Sequence, residues 1–173
     1  EPASIPVELY INGEYRGVYL LAEEIKISGD RVNITDTMPD EIDTGYLFEL
    51  SDYATKPEAI AAARRGYTVH NEFSADPEIE EQQRKFLKDY LNSSYQALFS
   101  GEYEEVVQYI NVESLVAAYL VEEIVKNVDN QYDSFYLYKD RGEVMYFGPL
   151  WDFDHSIGWN HPDALVTDGL YVA

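Results

Sequence analysis

The segment "KNVDNQYDSFYLYKDRGEVMYFGPLWDFDHSIG", residues 126–158, carries acidic side chains on both sides of two runs rich in strand-forming aromatic residues. The runs "SFYLYKD" and "EVMYFGP" are predicted to be strands joined by a turn at Arg141 and Gly142, because aromatic residues favour strands and glycine favours tight turns. A hairpin returns the chain to the place where it began. We therefore expect Asp129, before the hairpin, and Asp152, after it, to lie close together.

The carboxylates around this hairpin are candidates for a metal site. Carboxylates that are brought together repel one another and raise one another's pKa unless a cation lies between them. The sequence contains no cysteine, and hard oxygen ligands select Mg²⁺, Mn²⁺ or Ca²⁺ rather than zinc or copper. The second loop also contains Asp154, a third carboxylate that the hairpin would bring close to the other two.

Composition restricts the classes of partner. The chain has 173 residues, of which 46% are hydrophobic, and this is enough for one domain with a substantial core. Its formal charge of −21 disfavours nucleic acids and anionic membrane surfaces. No apolar stretch is long enough to span a membrane and no signal peptide is visible. The chain opens with "EPASIPVELY", which predicts a processed segment that lacks some N-terminal elements of its fold.

The N-terminal third is predicted to be mainly β-structure. "VELYINGEYRGVYLLAEEI", residues 7–25, has alternating apolar residues around Asn12-Gly13, the pattern of a β-hairpin. The following segment is rich in glycine, aspartate, threonine and proline, which predicts a long irregular loop that ends at a strand over residues 45–52. A loop of this length inside a compact domain usually carries function or covers a site.

The middle of the chain is predicted to be mainly helical. A helix from Asn111 onward, "VESLVAAYLVEEIVK", has an apolar stripe at helical spacing and is expected to be buried. The other elements predicted here are a short helix over 58–64, a strand over 67–73, a helix over 77–98 capped by Ser74 or Asp76, and a short helix over 103–109.

Four segments together resemble the CotH family of spore-coat and secreted kinase-like proteins. They are "VELYINGEYRGVYLLAEEI" (7–25), "GYLFEL" (45–50), "YINVESLVAAYLVEEIVKNVD" (109–129) and "SFYLYKDRGEVMYFGPLWDFDHSIG" (134–158). They follow one another in order over most of the chain. The pairing of "KN-x-D" with "GP-x-WDFD" is the most specific part of the resemblance.

The resemblance implies an α+β, atypical protein-kinase-like fold, made of a hinge hairpin and a helical C-lobe with a catalytic β-hairpin. Residues 1–173 are then one domain without some N-terminal elements, with a hinge-side β region over 1–52 and a C-lobe-like region over 53–173. Such a protein uses ATP and Mg²⁺ or Mn²⁺ to phosphorylate serine or threonine on secreted, cell-surface or spore-coat proteins. It is expected outside the cell, with coat or surface proteins as its assembly partners.

The resemblance also assigns roles to individual residues. Asp129 takes the place of the catalytic base, and Asp152 takes the place of the metal ligand in the kinase D-F-G motif. Asp154 stands where kinases have glycine and adds a second carboxylate. Ser134 replaces the asparagine that supplies a second metal ligand, with Asp133 beside it. The second metal position therefore departs from the family pattern.

The nucleotide-binding residues are less well defined by the sequence. Glu23 and Glu24, near the expected hinge, and Lys126, before the acidic loop, are the candidates for contacts with ATP. The lysine that binds the phosphates in kinases is expected upstream of Glu1. No glycine-rich phosphate loop is visible in the sequence.

Three other interpretations compete with a kinase. A non-catalytic surface or scaffold module would keep the fold and a structural calcium but transfer nothing. "DNQYDSFYLYKD" places Asp129, Gln131, Asp133 and Asp140 at calcium-loop spacing, although Ser134 stands where an EF-hand needs glycine. A glycosidase would need two carboxyl groups across an open sugar cleft, and nothing in the sequence marks one.

Overall fold

The chain forms an α+β structure, as predicted, with two antiparallel sheets and three helices among the residues that the structure describes. The structure is a computed structural model, and it describes residues 2–36, 38–51, 59–130, 133–158, 165 and 168–170.

The predicted N-terminal hairpin is confirmed. β1 (Ser4–Ile11) pairs with β2 (Glu14–Ala22) through a turn in which Asn12 and Gly13 have φ values of 52° and 84°. These two strands form a separate two-stranded sheet. Large apolar side chains on it are exposed to solvent, among them Ile5, Tyr10, Val18, Leu20 and Leu21.

The main sheet has five antiparallel strands in the order β4-β5-β3-β6-β7. The predicted strand over 45–52 and the predicted hairpin after Asp133 supply three of them. Their bounds are β3 (Tyr46–Leu50), β4 (Ala59–Ala62), β5 (Arg65–Val69), β6 (Phe135–Lys139) and β7 (Met145–Phe147). Because β3 pairs with both β5 and β6, the last strand of the N-terminal third and the acidic hairpin share one sheet.

The prediction of a helix over 58–64 is wrong. Among its described residues, Ala59–Ala62 form an edge strand, and the chain then turns at Ala63 and Arg64 into β5, where a strand was predicted to begin only at Tyr67. Alanine favours helices, but pairing with β5 buries Ile60 and Ala62 in the core. Tertiary burial therefore overrides local helix propensity.

α1 (Pro77–Ser100) confirms the predicted long helix and supplies one side of the core. The Asp76 side chain accepts a hydrogen bond from the Glu78 N–H at 2.9 Å, and Gly101 ends the helix in the left-handed conformation. The fully buried side chains of Leu87 and Leu91 pack in the same cluster as Tyr46 and Phe48 of β3.

The helix that leads to the acidic hairpin is only partly buried. α2 (Tyr103–Val106) precedes α3 (Val112–Val125), and the Asn111 side chain caps α3 by accepting the Ser114 N–H at 2.8 Å. The cap was predicted correctly, but the prediction that α3 is buried is wrong. Val116, Leu120 and Ile124 are 48%, 50% and 79% exposed, whereas the buried residues are Ala118 and Glu122. The buried positions lie two residues from these exposed apolar positions, about 200° around the helix, so the face that packs on the sheet is not the most apolar one.

The loop between β2 and β3 covers the other face of the main sheet. Val32 and Ile34 pack there against Leu47. A side chain at Gly45 would place its Cβ 1.7 Å from the Thr35 carbonyl oxygen, so only glycine fits at this close approach. The loop is therefore closed at its base by a contact between Thr35 and Gly45.

A buried lysine ties the same loop to the sheet. Lys139, at the end of β6, is 2% exposed and binds the Asp43 carboxylate and the Asp140 carbonyl. Its ammonium group also lies 5.5 Å and 5.3 Å from the ring centres of Phe86 and Tyr90 on α1. One cation therefore joins the loop, the sheet and α1.

None of the helices in the described part of the chain combines the length and apolar character needed to cross a membrane.

Candidate functional site

The loops that carry Asp129 and Asp152 meet at the C-terminal end of α3. The helix ends at Lys126, which has a left-handed φ of 52° and turns the chain sharply. After β7, the chain returns to the same place, where the Ile157 N–H donates to the Val125 carbonyl at 2.7 Å. The hairpin formed by β6 and β7 therefore brings the two acidic loops together, as the sequence predicted.

Asp152 lies at the centre of the cluster. Burial raises the pKa of its carboxyl group, the Ser134 hydroxyl opposes this by donating a hydrogen bond at 3.2 Å, and the charges of Asp154 and Asp129 raise the pKa further. Asp152 and Ser134 both have left-handed backbones, with φ values of 61° and 58°. Residues other than glycine rarely adopt this backbone conformation, and those that do are concentrated at functional sites.

Of the remaining predicted ligands, Asp154 lies beside Asp152, whereas Asp133 contacts Asp129. The Asp133 N–H donates to the Asp129 carbonyl at 3.3 Å, which closes the first acidic loop into a turn. Asp154 is close enough to Asp152 to share a hydrogen bond with it, and it also lies 3.7 Å from the His155 ring. No helix begins at Asp154 in the described residues up to 158, so Asp154 does not act as a helix cap there.

The predicted nucleotide-binding residues have partners other than the acids of this cluster. The Glu23 carboxylate accepts the Ala3 N–H at 3.2 Å, and Glu24 lines a cavity beside the loop. The Lys126 ammonium group binds the Glu123 carboxylate and the Gly169 carbonyl. Lys126 therefore closes the end of α3, and its ammonium group already has two partners.

The cavity that Glu24 lines has a volume of about 580 Å³ and lies between residues 24–27 and 70–75. His70 is on its wall and binds the Glu49 carboxylate at 2.9 Å. Tyr136 also donates to Glu49, and its pKa is raised by burial, by Glu49, and by the charges of Asp133 and Asp152. This polar row leads from the cavity to the acidic cluster and was not predicted from the sequence.

A comparison with models of known protein families shows to which family the chain belongs. The family model described as CotH kinase protein matches residues 1–170 of the 173-residue chain. The chain belongs to the CotH family. No curated protein and no solved structure gives a significant match to this CotH chain.

The calcium-loop interpretation of the CotH chain is wrong. Strand β6 separates Asp133 from Asp140, and Asp140 accepts the Thr35 N–H at 2.9 Å beyond the other end of the strand. Five residues of extended chain span roughly 17 Å, so the two carboxylates cannot belong to one EF-hand loop. Gln131, at another position of that loop, lies outside the described residues.

Sequence reasoning missed two residues beneath the acidic loops. Asn127 is 2% exposed; its side-chain N–H approaches the Asp152 carbonyl at 3.5 Å and its side-chain oxygen accepts the Asp129 N–H at 3.3 Å. Glu122, on α3, is 1% exposed and is hydrogen-bonded to the Asn127 side chain. A signal was available for Glu122, because it follows Leu115 and Ala118 at seven and four residues and therefore lies on the same face of the helix.

Burial raises the pKa of Glu122 to about 7, although the Asn127 hydrogen bond acts in the opposite direction. Its Oε2 accepts no hydrogen bond from the described residues, and the same is true of the Asn130 side-chain oxygen. Both residues line a cavity of about 310 Å³ under the acidic loops, where Arg65 of β5 supplies the other charged group.

The oxygen ligands of the site suit a hard divalent cation. No group of three or more histidine, aspartate or glutamate side chains in the described residues is arranged to hold a metal ion by itself. Mg²⁺ at phosphoryl-transfer sites is usually bound through one or two carboxylates plus substrate phosphates and waters. The Asp152 and Asp154 carboxylates, with the Ser134 hydroxyl, fit that smaller requirement in this CotH chain.

Proposed function

We propose that this CotH chain is part of a metal-dependent protein kinase that transfers the γ-phosphoryl group of ATP to a serine or threonine hydroxyl. The acceptor is a secreted, cell-surface or spore-coat protein. Family membership supports this proposal. The observation that carries it is the meeting of the Asp129 and Asp152 loops at the end of α3, where the Ile157–Val125 hydrogen bond joins them.

Asp129 acts on the acceptor. Its carboxylate accepts the proton of the serine or threonine hydroxyl as the hydroxyl oxygen bonds to the γ-phosphorus of ATP. The bond between the γ-phosphorus and the β–γ bridging oxygen breaks, and ADP leaves with the electron pair. Such a base typically contributes a factor of about 100 to 10,000 to the rate, and positioning and charge stabilisation supply most of the remainder.

Asp152 would hold the divalent cation, and Asp154 and the Ser134 hydroxyl would supply further ligands. When bound, Mg²⁺ or Mn²⁺ neutralises charge on the phosphates. Burial raises the pKa of Asp152 and the charges of Asp154 and Asp129 raise it further, and a bound cation would relieve this repulsion. Ser134 stands where the family pattern has asparagine, and its hydroxyl lies against Asp152 at 3.2 Å, which suits a ligand at a second metal position.

The cavity beside residues 24–27 is the place proposed for the adenosine of ATP. Its volume of about 580 Å³ falls within the range of small-molecule sites. Glu24 and the acidic wall suit the ribose hydroxyls and the amino group of adenine better than they suit phosphate. The row of His70, Glu49 and Tyr136 runs from this cavity toward Asp152, so the phosphates would lie beyond the row, near Asp152, where a bound cation would offset the acidic charge.

Phosphate transfer from labelled ATP tests the proposal directly. The protein is incubated with γ-labelled ATP, Mn²⁺ and casein as acceptor, in parallel with Asp152→Ala and with Glu113→Ala, which removes an exposed carboxylate from the first turn of α3. Label on serine or threonine is expected from the parent and from Glu113→Ala, and not from Asp152→Ala. Equal labelling by parent and Asp152→Ala would refute the assignment of Asp152.

One observation favours a second candidate, a non-catalytic surface or scaffold module. The described residues hold no group of three acidic or histidine ligands, and Ser134 replaces the expected asparagine. In that case the parent would bind a divalent cation at Asp152 but would transfer no label to casein or to itself. Measuring Mn²⁺ binding on the samples used for the transfer assay separates the two functions.

A further inference from the structure

The contacts beneath the acidic loops point to a role for Glu122. We propose that Glu122 is a positioning residue, which orients the Asn127 side chain and thereby fixes the Asp129 loop against the Asp152 loop. The expected effect of Glu122 on Mn²⁺ binding rests on the proposed function. The contacts from which the role of Glu122 is inferred do not.

The Asn127 side chain is hydrogen-bonded on both sides. One N–H is bonded to the Glu122 carboxyl, an N–H approaches the Asp152 carbonyl at 3.5 Å, and the oxygen accepts the Asp129 N–H at 3.3 Å. An asparagine amide has two donors on nitrogen and one acceptor oxygen. All of these groups are used, and each acidic loop receives one of the contacts.

The orientation of this amide depends on Glu122. If the amide turned over, its oxygen would face the Asp152 carbonyl and its nitrogen would face the Asp129 N–H, so both contacts would become repulsive. The carboxyl group of Glu122 offers an acceptor to the nitrogen and so favours the orientation that joins the loops. The backbone supports the same arrangement, because the Asn127 N–H donates to the Glu122 carbonyl at 3.1 Å.

Glu122 occupies its position at a cost in stability. It is 1% exposed, and its Oε2 accepts no hydrogen bond from any described residue. A buried acceptor without a partner lowers the stability of the folded state. An apolar residue of similar shape would pack on the same face without that cost, as Leu115 does about two turns earlier. A residue that lowers stability while contacting a functional loop is a typical stability–activity compromise.

Two substitutions separate positioning from packing. Glu122→Met keeps the approximate length of the side chain and removes the acceptor, whereas Glu122→Gln keeps an acceptor oxygen for Asn127. Glu113→Gln, on the exposed side of the same helix, is the matched control. All four proteins are first compared by thermal unfolding, and Glu122→Met is expected to be at least as stable as the parent.

The first readout is Mn²⁺ affinity, measured by electron paramagnetic resonance, with the binding lost in Asp152→Ala taken as the site. Glu122→Met is expected to weaken that binding by about 10-fold or more, the usual effect of losing a supporting hydrogen bond. Glu122→Gln and Glu113→Gln are expected to stay within about 2-fold of the parent, because both keep the Asn127 contact. Parent-like affinity in Glu122→Met would overturn the proposal.

The second readout needs neither metal nor activity. Hydrogen exchange of the Asp129 N–H is expected to accelerate by about 10-fold in Glu122→Met and to be restored in Glu122→Gln, because this N–H is held by Asn127. Unchanged exchange in Glu122→Met would also overturn the proposal. If the parent transfers no phosphate while both readouts respond as expected, the proposed function fails and the role of Glu122 stands.

Discussion

The two long helices each bury one large polar side chain, but the two side chains differ in how completely they are hydrogen-bonded. On α1, the fully buried Gln83 accepts the Ser74 N–H at 2.8 Å and donates to the Glu41 carbonyl at 2.7 Å. On α3, the equally buried Glu122 leaves one oxygen without a partner among the described residues. The first arrangement stabilises the fold. The second gives up stability next to the candidate site.

The apolar side chains of α1 are also more deeply buried than those of α3. α1 buries Leu87 and Leu91 against the sheet, whereas α3 leaves Leu120 and Ile124 at 50% and 79% exposure. Hydrophobic burial therefore comes mainly from α1 and the sheet, and α3 chiefly holds the acidic loops in place. Substitutions on α1 should act on stability, and substitutions at the end of α3 should act on activity.

The largest expected effect is on activity at the end of α3. Asp129→Asn is expected to lower the rate of phosphoryl transfer by about 100- to 10,000-fold, because the variant cannot accept the hydroxyl proton. Its melting temperature should stay at or above that of the parent, since one repelling charge near Asp152 is lost. Single-turnover labelling and thermal unfolding measure the two quantities. A large loss of stability in Asp129→Asn would contradict the expectation that substitutions at the end of α3 act on activity rather than on stability.

The next effect contrasts the two buried polar residues directly. Gln83→Met should lower the free energy of unfolding by about 2–4 kcal/mol, because the Ser74 N–H and the Glu41 carbonyl are left without partners. Glu122→Met should leave the free energy of unfolding unchanged or raise it by about 1 kcal/mol, because a poorly bonded carboxyl group is replaced by an apolar one. Urea unfolding of both variants tests the opposite signs, and a similar loss in both would contradict the contrast.

A smaller effect is expected in the pH dependence of stability. The pKa of Glu122 is raised from 4.5 to about 7 in the folded protein, so the folded state holds this proton more tightly than the unfolded state does. The contribution of Glu122 to stability therefore falls as pH rises from about 4.5 through 7. Glu122→Gln should remove this loss and gain roughly 1–3 kcal/mol relative to the parent between pH 5 and pH 8.

Unfolding curves at pH 5, 6, 7 and 8 measure this difference, and Glu113→Gln serves as the exposed control, which should follow the parent at every pH. A gap between Glu122→Gln and the parent that does not widen with pH would show that Glu122 titrates as an ordinary carboxyl group.

The smallest effect is expected on the outer face of α3. Ile124→Ser should change the free energy of unfolding by less than about 0.5 kcal/mol, because its side chain is already mostly in solvent. Leu91→Ser, at a buried position of α1, is the matched control and should be strongly destabilised. Equal losses in the two variants would show that the face of α3 that carries Ile124 is buried in solution.

Local signals were enough to predict much of this fold. The Asn12-Gly13 turn, the cap at Asp76 and the hairpin after Asp133 each depend on residues close together in sequence. The meeting of Asp129 and Asp152 followed from the hairpin alone. The prediction of a helix in the alanine-rich segment after Glu58 failed because pairing with β5 determines the structure of that segment. For α3, periodicity predicted the helix but did not show which of its faces packs on the sheet.

The residues that support the site were harder to predict. Asn127 contacts both acidic loops only because the chain returns to α3 after β7, and this contact joins residues 25 apart in sequence. Glu122 stood in the sequence as one of several carboxylates on a helix. Its role depends on burial, and burial is set by how α3 lies on β7.

Lys139 has a practical consequence for following how the protein opens. Its ammonium group is enclosed by Asp43, Phe86 and Tyr90, so an acylating reagent cannot reach it in the folded state. Lysines such as Lys85, whose side chain is 74% exposed, are modified at once. The ratio of the two acylated peptides in mass spectrometry would therefore report, without any introduced label, how often the loop over the sheet lifts away.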